Sequence, residues 1–102
     1  MFVRIARYEV DPQRLDEAVE SFKDASKRLG GLDGLESGCI LTDAESGNLI
    51  TMVFWNNRQA LETSRTRASA LRQQAVKAVD GTVVYVGEYE IAHEFSPQGA
   101  HA

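Results

Sequence analysis

The strands of this chain are apolar on both faces, and only two amphipathic helices are available to cover them. The stretch at residues 82–91 reads Thr-Val-Val-Tyr-Val-Gly-Glu-Tyr-Glu-Ile. Side chains alternate across a strand, so Val83, Tyr85, Tyr89 and Ile91 are expected on one face and Val84 and Val86 on the other. Leu49-Ile50-Thr51-Met52-Val53-Phe54-Trp55 is likewise apolar on both faces. Two helices can cover one face of a small sheet, and the other face then needs a partner. A second copy of the chain is the simplest one. The expected assembly is therefore a homodimer whose sheets pack face to face.

At 102 residues the chain is one domain, near the size at which self-association helps to bury enough surface. A net charge of −4 argues against a nucleic-acid partner, which would require a basic face. Cys39 is the sole cysteine, so neither an intrachain disulfide nor a cysteine-based metal cluster can form, which suits a reducing compartment. Residues 1–10 read as a strand without the basic region and long apolar core of a signal peptide. No apolar run reaches membrane-spanning length. The expectation is a soluble, cytoplasmic protein with no membrane partner.

The predicted order is strand, helix, strand, strand, helix, strand. Strand one covers residues 2–10, and Asp11-Pro12 marks a helix start with Asp as cap and Pro at the first helical position. Leu15, Ala18, Val19, Phe22, Ala25 and Leu29 recur at helical spacing, and Gly30-Gly31 supplies a left-handed stop. Residues 35–43 form strand two, and the turn Glu45-Ser46-Gly47-Asn48 makes a hairpin with strand three, which ends at Trp55. Asn56 or Asn57 caps helix two, with Gln59 placed as in a capping box after Asn56. Its apolar stripe is Leu61, Ser64, Ala68, Leu71, Ala75 and Ala78. Asp80-Gly81 turns into strand four. The domain is expected over residues 1–93, with a frayed tail at 94–102. A βαββαβ order is the ferredoxin-like α+β plan: a four-stranded antiparallel sheet with both helices on one face.

No phosphate loop, nucleophile elbow, zincin helix or calcium loop is present, and no metal site is expected. The remaining candidates each carry two readings. Trp55 is either a core aromatic or a wall of an aromatic pocket. Tyr8, Tyr85 and Tyr89 either pack or hydrogen-bond a phenolic substrate. Arg4 shares a strand face with Phe2, Ala6 and Tyr8; a buried arginine needs pairing, with Glu88 or Glu90 as partner, or it stabilises an anion. His93 is incidental or a general base, and His101 is discounted. Arg58, Arg65 and Arg72 recur every seven residues, as a solvated stripe or as anion-capturing groups. Cys39 reads as a small core residue.

Residues 2–93 resemble the antibiotic-biosynthesis-monooxygenase-like branch of the dimeric α+β barrel superfamily. The resemblance is carried by Val3-Arg4-Ile5-Ala6-Arg7-Tyr8-Glu9-Val10 leading into Asp11-Pro12, by Gly34-Leu35-Glu36-Ser37-Gly38, and by Phe54-Trp55-Asn56-Asn57-Arg58-Gln59-Ala60-Leu61. It implies a dimeric barrel with a pocket between helices and sheet within each subunit. It also implies one of three fates: cofactor-free oxidation of phenols, anthrone-like compounds or quinols; haem degradation; or no known substrate. The haem branch uses a strand-one asparagine, then a tryptophan and an iron-ligating histidine on the following helix. Those places fall here on Ala6, Ser64 and Gln74, so haem degradation is not expected.

The leading expectation is a cofactor-independent monooxygenase acting with dioxygen on a small aromatic, phenolic or quinol substrate. Tyr85, His93 and Arg4 are its candidate catalytic groups, and Tyr8, Trp55, Ser64 and Tyr89 its candidate binding groups. The alternative is a non-catalytic dimeric barrel that binds a small apolar ligand or serves a stress response. A ligand-sized cavity between helix and sheet, with a polar group inside it, favours the enzyme.

Overall fold

The structure, a computed structural model, describes residues 1–97. Strands β1 (Phe2–Glu9), β2 (Leu35–Asp43), β3 (Asn48–Trp55) and β4 (Thr82–Glu90) form one antiparallel sheet in the order β2-β3-β1-β4. Helix α1 (Leu15–Leu29) crosses between β1 and β2, and helices α2 (Arg58–Thr63) and α3 (Arg65–Lys77) lie between β3 and β4. This is the ferredoxin-like plan, with the helices on one face. Residues 98–102, including His101 and the end of the expected tail, lie outside the described residues.

Local chemistry explains the boundaries. Asp11 accepts from the Gln13 amide and opens a single 3-10 turn at Pro12–Arg14, so the α-helix proper begins at Leu15. Gly31, at φ +94°, supplies the left-handed stop after α1. Asn57 is the cap of α2: its side chain accepts from Ala60. Gln59, which has capping-box spacing from Asn56, therefore falls one place too early for a box from the actual cap, Asn57. Gly34, at φ +84°, lets the chain entering β2 pass against α2, where any side chain would collide with Ala60.

Four sequence expectations need correction. The second helix is two helices, broken at Ser64, where the Leu61 carbonyl accepts from the Ser64 hydroxyl and from Arg4. Side-chain donors competing for a helical carbonyl interrupt the ladder in this way. Its buried face also ends differently, with Val76 and Val79 inside and Ala78 exposed.

Strand β4 carries a bulge: Arg7 pairs with Tyr85 but Tyr8 with Val83, which leaves Val84 as the extra residue. Paired residues share a face, so Val83 joins buried Tyr8 beneath the helices while Tyr85 and Tyr89 lie on the open face. Strict alternation had put Val83 with the tyrosines. Finally, Cys39 is exposed. It sits on edge strand β2 opposite Met52, on the face that no helix covers.

The core under the helices has two parts. Tyr8, Leu15, Ala18, Phe22, Leu49 and Val79 anchor one; Leu29, Trp55, Leu61 and Ala68 form the other. The open face carries Val3, Ile5, Met52 and Phe54, flanked by Tyr85, Tyr89 and Leu41, which are 44%, 46% and 44% exposed. An apolar sheet face of this extent is what the two-faced strands required.

Candidate active site

A cavity of about 560 Å³ opens between α1, α3 and the β1-β3-β2 side of the sheet. Its walls are mostly apolar, with Phe22 and Leu29 from α1, Ala68 and Leu71 from α3, and Ile40 and Val53 from the sheet. These come from both halves of the core. The small side chains Ala25 and Ala68 leave the room between them. A bulge at Glu36, between Leu35 and Ser37, brings β2 to the cavity with Gly38 on its wall.

The polar groups converge from three elements. Tyr8, on β1 and 1% exposed, places its hydroxyl 3.4 Å from the Thr51 hydroxyl on β3. That is long for a bond between two hydroxyls, so both keep capacity for a ligand. Arg4 and, from α3, Arg72 join the polar lining with Lys23 and Ser26 of α1 and Glu36 and Ser37 of β2. Lys23 is turned to Glu20 and Ser26 to the Phe22 carbonyl.

Arg4 is almost fully committed. Its Nε and Nη2 both donate to Glu88 Oε2 at 3.1 and 2.9 Å, Nη1 donates to Ser64 Oγ at 3.1 Å, and Nη2 donates to the Leu61 carbonyl at 2.9 Å. A guanidinium has five N–H groups, which leaves one for a ligand. Its Cζ lies 5.9 Å from the Trp55 ring centre, within cation–π range. Glu88 is shared, since Arg65 also grips it at 2.6 Å. Burial lowers the Arg4 pKa from its ordinary value, against the Glu88 bond, and the charges of Arg72 and Arg65 lower it further. Hydrogen bonding from Arg65, then Arg4, holds the Glu88 carboxyl below the usual carboxylate range, against partial desolvation.

Of the residues singled out in the sequence, Arg4 and Tyr8 line the cavity. Ser64 stands behind Arg4 and orients it. Trp55 is fully buried in the core beside Arg4, outside the cavity wall. Tyr85 and Tyr89 occupy the opposite face of the sheet. His93 is exposed beyond β4, its ring 6.2 Å from that of Phe95. Thr51 was overlooked, although a hydroxyl between Ile50 and Met52 in an apolar strand was a visible signal. The arginine stripe separates: Arg58 lies over the Phe2 ring at 4.8 Å, Arg65 binds Glu88, and Arg72 faces the cavity.

No protein-family model matches the chain. It is 26% identical over 91 residues to Rv2557, an uncharacterised protein of Mycobacterium tuberculosis, covering 88% of this chain and 41% of that one. The chain thus spans well under half the length of the curated relatives it matches. Among solved structures, it resembles a Deinococcus radiodurans protein named as a candidate antibiotic biosynthesis monooxygenase, with a TM-score of 0.77, 15% identity, and coverage of 97% of this chain and 100% of that one. It also resembles a mutant of SnoaB, a cofactor-independent oxygenase from Streptomyces nogalater, with a TM-score of 0.67, 14% identity, and coverage of 95% and 97%. These likenesses establish a shared subunit fold, the ferredoxin-like α+β plan expected from the sequence.

Proposed function

We propose that this protein is a cofactor-independent monooxygenase acting with dioxygen on a small aromatic, phenolic or quinol substrate. The observation that carries this reading is the cavity: about 560 Å³, apolar-walled, with Tyr8, Thr51 and Arg4 on its sheet side and the Tyr8 and Thr51 hydroxyls only 3.4 Å apart. Its volume lies within the range of small-molecule sites. SnoaB, named a cofactor-independent oxygenase, shares the fold and supports the reading. An activated methylene beside a phenol loses a proton to solvent at the open mouth of the cavity, and the resulting carbanion reduces dioxygen. One oxygen atom stays as the product carbonyl; the other leaves as water with the two substrate hydrogens. Tyr8 and Arg4 serve as donors to the oxyanion that develops on the ring.

Oxygen uptake against a panel of anthrones, quinols and flavonoid phenols tests the activity. Tyr8→Phe should lower kcat on the order of a hundredfold, as loss of one oxyanion donor does, with melting temperature little changed because the Thr51 contact is long. Full activity in that variant would remove Tyr8 from the chemistry. A second reading, ligand binding without turnover, is favoured by one observation: Tyr85 and His93 do not line the cavity, which collects groups suited to holding a ligand. Stoichiometric binding of a panel compound without oxygen uptake would select it.

The same reading includes a homodimer through the open face of the sheet, which accounts for Tyr85 and Tyr89 as interface residues. Light scattering at micromolar concentration should give twice the chain mass. Ile5→Glu, at the centre of that face between Met52 and Gly87, should give a monomer, because it puts a charge that must be desolvated in the middle of an apolar interface. A stable wild-type monomer would sink the assembly.

A further inference from the structure

The geometry points to an aromatic ligand that carries its own anionic group, a ring-bearing carboxylate or comparably acidic compound, held by Arg72. This rests on the oxygenase reading only in placing a ligand in the cavity. Arg72 lines an otherwise largely apolar cavity and is half-buried. Among the described residues, no carboxylate lies within ion-pair distance of it. The other members of its seven-residue series are engaged elsewhere, Arg65 with Glu88 and Arg58 over Phe2.

The neighbouring charges reinforce the point. Arg4 and Arg65 share the single carboxylate of Glu88, so that cluster keeps one net positive charge at the Arg4 side of the cavity. Lys23 is matched by Glu20. Glu36 on the lining is the one opposing charge, and it is exposed at the β2 bulge. A half-buried guanidinium facing apolar walls is poorly hydrated and has donors to spare. A ligand that couples an apolar ring to an anion satisfies both surfaces. A neutral ring would leave the arginine as it is.

Calorimetric titration of the full chain with 2-naphthoate and 2-naphthamide tests this, since the two share a ring system and differ in charge. The wild type should prefer naphthoate by at least about tenfold, as a charge-assisted bond in a desolvated site provides. Arg72→Met keeps the apolar stem and should bring the two affinities within about twofold by weakening naphthoate alone. Arg72→Lys should retain part of the preference. Raising salt on the wild-type protein should weaken naphthoate and leave naphthamide unchanged, a readout that needs no variant. Equal affinities in the wild type, an undiminished preference in Arg72→Met, or binding of neither compound would overturn the inference. The two readings fail separately. Oxygen uptake on neutral anthrones with no naphthoate preference sinks only the anion site, whereas an Arg72-dependent preference without uptake on any panel compound sinks only the oxygenase.

Discussion

Glu88→Gln is expected to lower the stability of this protein by about 3 kcal/mol, the lower end of the cost of leaving a buried charge unpaired; the Glu88 side chain itself is 22% exposed, so the penalty falls on Arg4. For a domain of this size that is a fall in melting temperature of roughly 12–24 °C. Arg4 is 4% exposed, so its charge cannot turn to water when the carboxylate is lost. The Ser64 and Leu61 oxygens still accept from it but carry no charge. Arg65 is different. Its side chain is 56% exposed, and Arg65→Met should cost within about 1 kcal/mol, as exposed pairs do. The double replacement Arg4→Met with Glu88→Leu should recover much of the loss, because it removes the stranded charge as well as its partner.

Acid should act as the glutamine variant does. The Glu88 carboxyl is held below its ordinary value of 4.5, so between the two values the unfolded chain binds more protons and stability rises with pH. Its contribution is complete above the unfolded value and is lost as pH falls through the folded one. Urea melts of the wild type should weaken below about pH 4.5, and those of Glu88→Gln should lack that component. Equal stability at pH 7, or identical acid limbs, would show that Arg4 does not depend on Glu88.

How much of this was legible in the sequence depends on whether the determining chemistry is local. Asp11-Pro12, Gly30-Gly31 and the Gly47 turn are short-range signals, and they placed the elements closely. The need of Arg4 for a carboxylate was legible too, because a charge among Phe2, Ala6 and Tyr8 demands a partner, though the choice of Glu88 over Glu90 came only with the fold. What failed was each feature set by the other side of the fold. The bulge at Val84 follows from how β4 pairs with β1, and period-two alternation is blind to it. The helix break at Ser64 depends on Arg4 arriving from another element. Seven-residue spacing put Arg58, Arg65 and Arg72 in one series and was silent on their different partners. Alanines at 25 and 68 fit close packing and open space equally well; only the assembled layers show the cavity.

Trp55 carries the largest expected effect. It is fully buried between Leu29, Leu61 and Ala68, and Trp55→Ala should cost about 4 kcal/mol, within the span for large aromatic truncations. That is a large fraction of the stability of a small domain, and the variant should be recovered only at low temperature. Trp55→Phe separates the reasons. The indole Nε1 is buried without a hydrogen-bond partner among the described residues, and an unsatisfied buried donor costs about 1–3 kcal/mol. Phenylalanine removes that penalty while opening a smaller void, so its net cost should stay under about 1.5 kcal/mol. A loss equal to that of alanine would mean that Nε1 is bonded, through water or a ligand. Because Trp55 lies behind Arg4 and not on the cavity wall, Trp55→Phe should leave the affinity for 2-naphthamide within about twofold. A selective loss of that affinity at unchanged stability would make the indole a wall of the site after all.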